Sequence, residues 1–125
     1  MKIGMTSVYV SDPIRAFAFY TEVLGFRKRV FMPEAMLAIV VSAEDENGTS
    51  LLLEPNENSI AKNYQEALYK QGIPVIVFTS PDLAKEFERL SAEGVRFVKE
   101  PVKTDYGTEA LFEDGFGNII QLYQA

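Results

Sequence analysis

The sequence predicts an α+β fold built from two successive βαβββ modules. Three observations carry that expectation. Short apolar or alternating segments read as strands, and two amphipathic segments with capping residues and closing glycines read as helices. The same order of elements also returns about 70 residues later.

The first module opens on a strand over Thr6 to Val10, with Val8 and Val10 facing one way and Ser7 and Tyr9 the other. Ser11 or Asp12 then serves as a helix N-cap. Pro13 takes the first helical position, where its missing N–H costs nothing. Ile14, Phe17, Ala18, Val23 and Leu24 form the apolar stripe of that helix, and Gly25 closes it. Phe26 to Phe31, Met36 to Ser42 and Ser50 to Glu54 follow as strands, with Asn47-Gly48 turning between the last two. The stretch from Glu57 to Tyr69 reads as a helical linker, with Ser59 as its cap and Ile60, Tyr64, Ala67 and Leu68 as apolar positions.

The pattern then repeats. Pro74 to Thr79 is a strand, and Asp82 to Ala92 is an amphipathic helix carrying Leu83, Phe87 and Leu90 and ended by Gly94. Val95 to Val98, Glu109 to Phe112 and Asn118 to Tyr123 are further strands. Gly25-Phe26 matches Gly94-Val95 at an offset of 69 residues, and Gly48 to Leu53 matches Gly117 to Leu122 at the same offset without a gap. Asp12 and Asp82 stand 70 apart, which requires one indel. The expected organisation is a single domain over 1–125, with module one at about 1–56, the linker at about 57–71 and module two at about 72–125.

Composition narrows the chemistry. A chain of 125 residues, 47% hydrophobic and 24% charged, is long enough to bury a real core. It contains no cysteine, hence no disulfide, thiolate metal site or catalytic thiol. It contains no histidine, which removes Ser-His-Asp triads and every imidazole-based metal centre. The N-terminus runs straight into an alternating segment with no signal-like apolar stretch, and no 18-residue apolar run occurs. A cytoplasmic protein with no membrane partner is expected. A net charge of −6 argues against nucleic acid as partner and mildly favours a cationic ligand.

Val8-Tyr9-Val10-Ser11-Asp12, then Phe19-Tyr20 and Val23-Leu24-Gly25-Phe26, resembles the opening of the vicinal-oxygen-chelate superfamily. This is the superfamily of glyoxalases, bleomycin resistance proteins and extradiol dioxygenases. Glu113-Asp114-Gly115-Phe116-Gly117-Asn118, leading into Ile119 to Leu122, resembles its closing Asp-Pro-Asp-Gly-Asn turn and last strand. Gly-Phe replaces the Pro-Asp of that turn, and Gly-Asn is kept. The resemblance implies a curved mixed sheet wrapped around a cavity, helices outside, and a homodimer. It also implies four metal-ligand positions, which here carry Met5, Leu52, Val75 (or Pro74, given the indel) and Gln121. A thioether, two alkyl groups and one amide do not hold a hard divalent ion, so no metal and no cofactor is expected. Glu54, two residues beyond Leu52 on the same strand face, adds too little to change that.

Strand parity groups Met5, Ser7 and Tyr9, then Leu52 and Glu54, then Val75, Val77 and Thr79, then Gln121 and Tyr123. If these faces line the implied cavity, the ligand-contacting set is Met5, Ser7, Tyr9, Phe31, Leu52, Glu54, Val75, Val77, Tyr106, Gln121 and Tyr123. Tyr9, Phe31, Tyr106 and Tyr123 offer rings for a planar ligand, and Glu54 or Gln121 offers an orienting group. The segment from Lys103 to Thr108 is polar and turn-rich before a strand; it reads first as a solvated hairpin connection and alternatively as a pocket-rim loop.

The functional expectation is a metal-independent binder of an aromatic or cationic small molecule. One alternative is a metal-free isomerase or lyase using Glu54 or a tyrosine as acid–base group. Another is a structural or regulatory domain with a filled cavity. No catalytic residue is assigned.

Overall fold

The structure is a computed structural model describing residues 1–125. The chain forms two compact units, Met1–Asn63 and Tyr64–Ala125, divided within the linker helix. Each unit carries one four-stranded mixed sheet.

In the first unit the strands are β1 (Met5–Val10), β2 (Arg27–Met32), β3 (Leu37–Val41) and β4 (Ser50–Pro55), in the order β1-β4-β3-β2. β1 pairs parallel to β4, and the other pairings are antiparallel. Helix α1 (Pro13–Ala18) runs on as a wider turn of π-helix over Phe19–Val23 before Gly25 ends it with φ of +89°. Asp12 rather than Ser11 is the cap. Its Oδ1 accepts from the Ile14 N–H at 3.1 Å and the Arg15 N–H at 3.2 Å, answering two of the helix's orphan donors.

α1 packs on β3 and β4 and buries one face of the sheet. Val8, Val10, Ala38, Val40, Leu51 and Leu53 meet Ala16 and Tyr20 there, and Tyr20 is fully buried. Each large aliphatic side chain removed from water in this way contributes about 1.5–3 kcal/mol.

The second unit repeats the plan with β5 (Ile76–Thr79), β6 (Phe97–Thr104), β7 (Gly107–Glu113) and β8 (Ile119–Gln124), in the order β5-β8-β7-β6. β5 is parallel to β8, the counterpart of β1 on β4. α2 (Ser59–Lys70) is the linker helix, and α3 (Leu83–Ala92) packs on β6 and β8. Asp82 caps α3 through its Oδ1, which accepts from the Lys85 N–H at 3.1 Å. Leu83 and Leu90 of α3 and Ala110, Phe112, Ile120 and Leu122 of the sheet form the core, and Phe97 packs edge-on against Phe87.

One local expectation is corrected. The cap of α2 is Asn58, not Ser59, because the Asn58 Oδ1 accepts from the Ala61 N–H at 2.8 Å. The segment from Lys103 to Thr108 is a hairpin connection, the first of its two expected readings. β6 runs to Thr104, β7 starts at Gly107, and Asp105-Tyr106 form the turn between them. The Thr104 hydroxyl stabilises that turn by donating to the Gly107 carbonyl at 2.8 Å. Gly107 has φ of +146°, and a Cβ there would lie 2.4 Å from the Gln124 carbonyl oxygen, so the chain passes too close for any side chain.

Candidate functional site

Alternation along a strand gives each sheet a helix-packed face and a second face turned away from that helix. In the first unit the second face holds Met5, Ser7 and Tyr9 of β1 beside Ser50, Leu52 and Glu54 of β4. The register pairs Ser7 with Leu52 and Tyr9 with Glu54. Ile39 stands opposite Leu52, and Val30 opposite Ile39, so the row continues as aliphatic side chains. Met5 is 52% exposed, while Tyr9, Leu52, Glu54 and Ile39 are half-buried. Five of the six expected first-unit residues therefore share one face.

Phe31 is the sixth, and it lies on the other side. It pairs with buried Ala38, and its ring stacks on Phe17 of α1 at 4.1 Å between centroids and 11° between planes. The cause is a bulge between Lys28 and Val30, where one extra residue changes which side chains of β2 face the helix. Phe31 belongs to the helix contact.

In the second unit Val77, Gln121, Leu111 and Lys99 form one cross-strand row, and Thr79, Tyr123, Glu109 and Val102 form the next. Val75, expected within the strand, stands just ahead of β5, its N–H donating to the Ile119 carbonyl at 3.0 Å. Val77 is 52% and Val102 44% exposed. Tyr123 lies along the turn and donates its hydroxyl to the Tyr106 carbonyl, whereas the Tyr106 ring stands out from the turn at 87% exposure. Tyr106 is joined to this face through its backbone, not its ring.

The sequence offered Gln121 as an orienting group, but its partners Glu109 and Lys99 were not singled out there. Glu109 accepts from the Lys99 ammonium at 2.6 Å through one carboxylate oxygen and from the Gln121 amide at 3.3 Å through the other. The available signal was parity alone: Glu109 falls on the same side of β7 as Leu111 and is the one acidic residue between them and the turn.

A metal fits neither face. Met5 and Leu52 on the first, and Val75 on the second, offer no oxygen or imidazole donor, and the single amide oxygen of Gln121 does not hold a hard divalent ion. No group of three or more acidic, histidine or cysteine side chains converges anywhere in the chain. Glu54 stands at the end of β4 beside Tyr9, without a second carboxylate across the register.

The family model described as "Glyoxalase/Bleomycin resistance protein/Dioxygenase superfamily" matches residues 2–122. The uncharacterized protein YurT of Bacillus subtilis (strain 168) is 44% identical over 126 residues, covering 99% of each chain. Among solved structures, UcmS2 aligns with a TM-score of 0.83 and 30% identity over 98% of this chain and 97% of its own. TnmS3, described as an antibiotic binding protein from Streptomyces sp. CB03234, aligns with a TM-score of 0.75 and 26% identity over 99% and 95%.

Proposed function

The chain belongs to the glyoxalase/bleomycin resistance protein/dioxygenase superfamily, and from that membership we propose that it is a metal-independent small-molecule-binding protein of the bleomycin-resistance type. The observation that carries the reading is the replacement of donors by apolar groups at the family's ligand positions. Met5, Leu52 and Val75 supply carbon and sulfur where ligation needs oxygen or imidazole. Met5 and Leu52 stand beside Tyr9 and Ile39 on the first unit's face. Val75 precedes Val77 beside Leu111 and Tyr123 on the second unit's face. Each face is apolar with a few polar groups, which is the character of small-molecule sites. The likeness to TnmS3, an antibiotic binding protein, supports the same reading. An aromatic ligand suits the tyrosines, and a cationic one suits the net charge of −6. A homodimer is the proposed assembly, and the cytoplasm the proposed location. No helix is long and apolar enough to cross a membrane.

The test is a screen of aromatic and cationic compounds against 15N-labelled protein. Shift changes centred on Ser7, Leu52, Val77 and Gln121 support the reading. Changes confined to the helix-packed faces, or none across the panel, contradict it.

A further inference from the structure

We infer that Gln121 is a fixed hydrogen-bond acceptor that selects ligands carrying an N–H or O–H on an aromatic frame, and that Glu109 and Lys99 set its orientation. This deepens the binding reading above and rests on it.

A primary amide presents two donors on one side and an acceptor on the other, and in isolation either side can face a partner. Glu109 removes that freedom. Its carboxylate only accepts, so Gln121 must turn its Nε2 toward Oε2 of Glu109, as it does at 3.3 Å. The carbonyl oxygen of Gln121 is then left facing away from Glu109, with no donor from the protein. Lys99, donating to Oε1 of Glu109 at 2.6 Å, pins one carboxylate oxygen and leaves Oε2 to meet the amide. The three side chains thus form a chain of orientation running from β6 through β7 to β8.

The surroundings define the rest of the ligand. Val77 flanks Gln121 on one side, Leu111 on the other, and Tyr123 and Val102 occupy the adjoining row. Val77 and Val102 are each more than two-fifths exposed on this side of the sheet. A flat apolar molecule lying on these side chains meets one hydrogen-bonding atom of defined polarity. A ligand offering only an acceptor there leaves the Gln121 carbonyl desolvated and unpaired, which is the costlier arrangement. Selection is therefore for a donor, not for polarity in general. Lys99 and Glu109 neutralise each other, so a full charge on the ligand is not required.

Indole and 1-methylindole test this directly, since they differ in a single N–H. Binding is followed by the backbone and side-chain amide signals of the 15N-labelled full chain. The expected result is that indole binds about fivefold more tightly than 1-methylindole, the worth of one ordinary hydrogen bond, and moves the Gln121 side-chain signal. Glu109→Gln frees the amide to turn and is expected to abolish the preference. Gln121→Leu should abolish it too, and Lys99→Met should reduce it. Equal affinities for the two probes in the wild-type protein overturn the inference and leave the binding reading standing. A preference that survives in Glu109→Gln overturns the orienting role. Failure of both probes overturns the inference, and the wider aromatic and cationic screen then decides the binding reading separately.

Discussion

Gln65 of the linker helix donates its side-chain amide to the Oδ1 of Asn118 at 3.1 Å and to the Phe116 carbonyl at 3.0 Å. Both Gln65 and Asn118 are almost completely buried. Asn118 in turn donates to Asp114 at 2.8 Å, and Asp114 also accepts from the backbone N–H groups of Phe116 and Asn118. The turn that closes the second unit is thereby tied to α2 through a satisfied polar network, which is stabilising only while every member is present.

Gln65→Ala is expected to destabilise the protein by about 2 kcal/mol, because it removes two hydrogen bonds, one of them to the buried Asn118, and the packing of a buried side chain. Urea unfolding measures this. A loss below about 0.5 kcal/mol would show that water replaces Gln65.

Gly117→Ala should cost about 2–3 kcal/mol for two reasons that can be separated. Gly117 has φ of +100°, a conformation closed to ordinary side chains, and an added Cβ would lie 2.7 Å from Nε2 of Gln65. In the double variant with Gln65→Ala the collision is gone and the backbone strain remains. The two changes should therefore sum to less than their separate effects, by about 1 kcal/mol in a double-mutant cycle.

Tyr69 gives a pH dependence. Its hydroxyl donates to Glu113, and that hydrogen bond, then the negative charge of the same carboxylate, hold its pKa above the ordinary 10.0, with Arg96 opposing. The folded state thus favours the neutral phenol. The stabilisation is fully present below the unfolded value and is lost as pH rises through the higher folded one. NMR of the tyrosine rings should show Tyr69 ionising after the unperturbed phenol range, and Glu113→Gln should bring it back. An unchanged titration in Glu113→Gln would contradict the assigned cause.

Phe31→Ala should separate packing from binding. The ring stacks on Phe17, so its removal is expected to cost about 2 kcal/mol of stability. The shift pattern of a bound aromatic compound on the opposite face should stay the same. A selective loss of binding with unchanged stability would return Phe31 to the ligand face.

Local chemistry made much of this architecture legible in the sequence. Asp12-Pro13 and Asp82 announce helix starts because a side-chain acceptor must meet free N–H groups, and Gly25 and Gly94 announce their ends through positive φ. The repeat then fixed the order of elements. Cross-strand register was not legible. The bulges between Lys28 and Val30, and those flanking Lys99, change which side chains share a face, and nothing in local composition marks them. That is why Phe31 was grouped with the ligand face, although parity grouped Met5, Ser7, Tyr9, Leu52 and Glu54 as the register does. Lys99 was missed because the strand was expected to end at Val98, whereas β6 runs to Thr104. The hairpin connection at Lys103 to Thr108 was legible but its length was not: only the pairing of Thr104 with Gly107 narrows the turn to Asp105-Tyr106.

The most direct test of metal-independent binding is the melting temperature of the wild-type protein with aromatic and cationic compounds, in chelator and again with added nickel, zinc or manganese. A ligand present at about 100 times its Kd contributes about 2.7 kcal/mol to the native state, enough to raise the melting point by several degrees. The account predicts such a rise for at least one compound, equal in chelator and in metal. A rise that appears only with added metal, or a stoichiometric ion that survives dialysis, would contradict it.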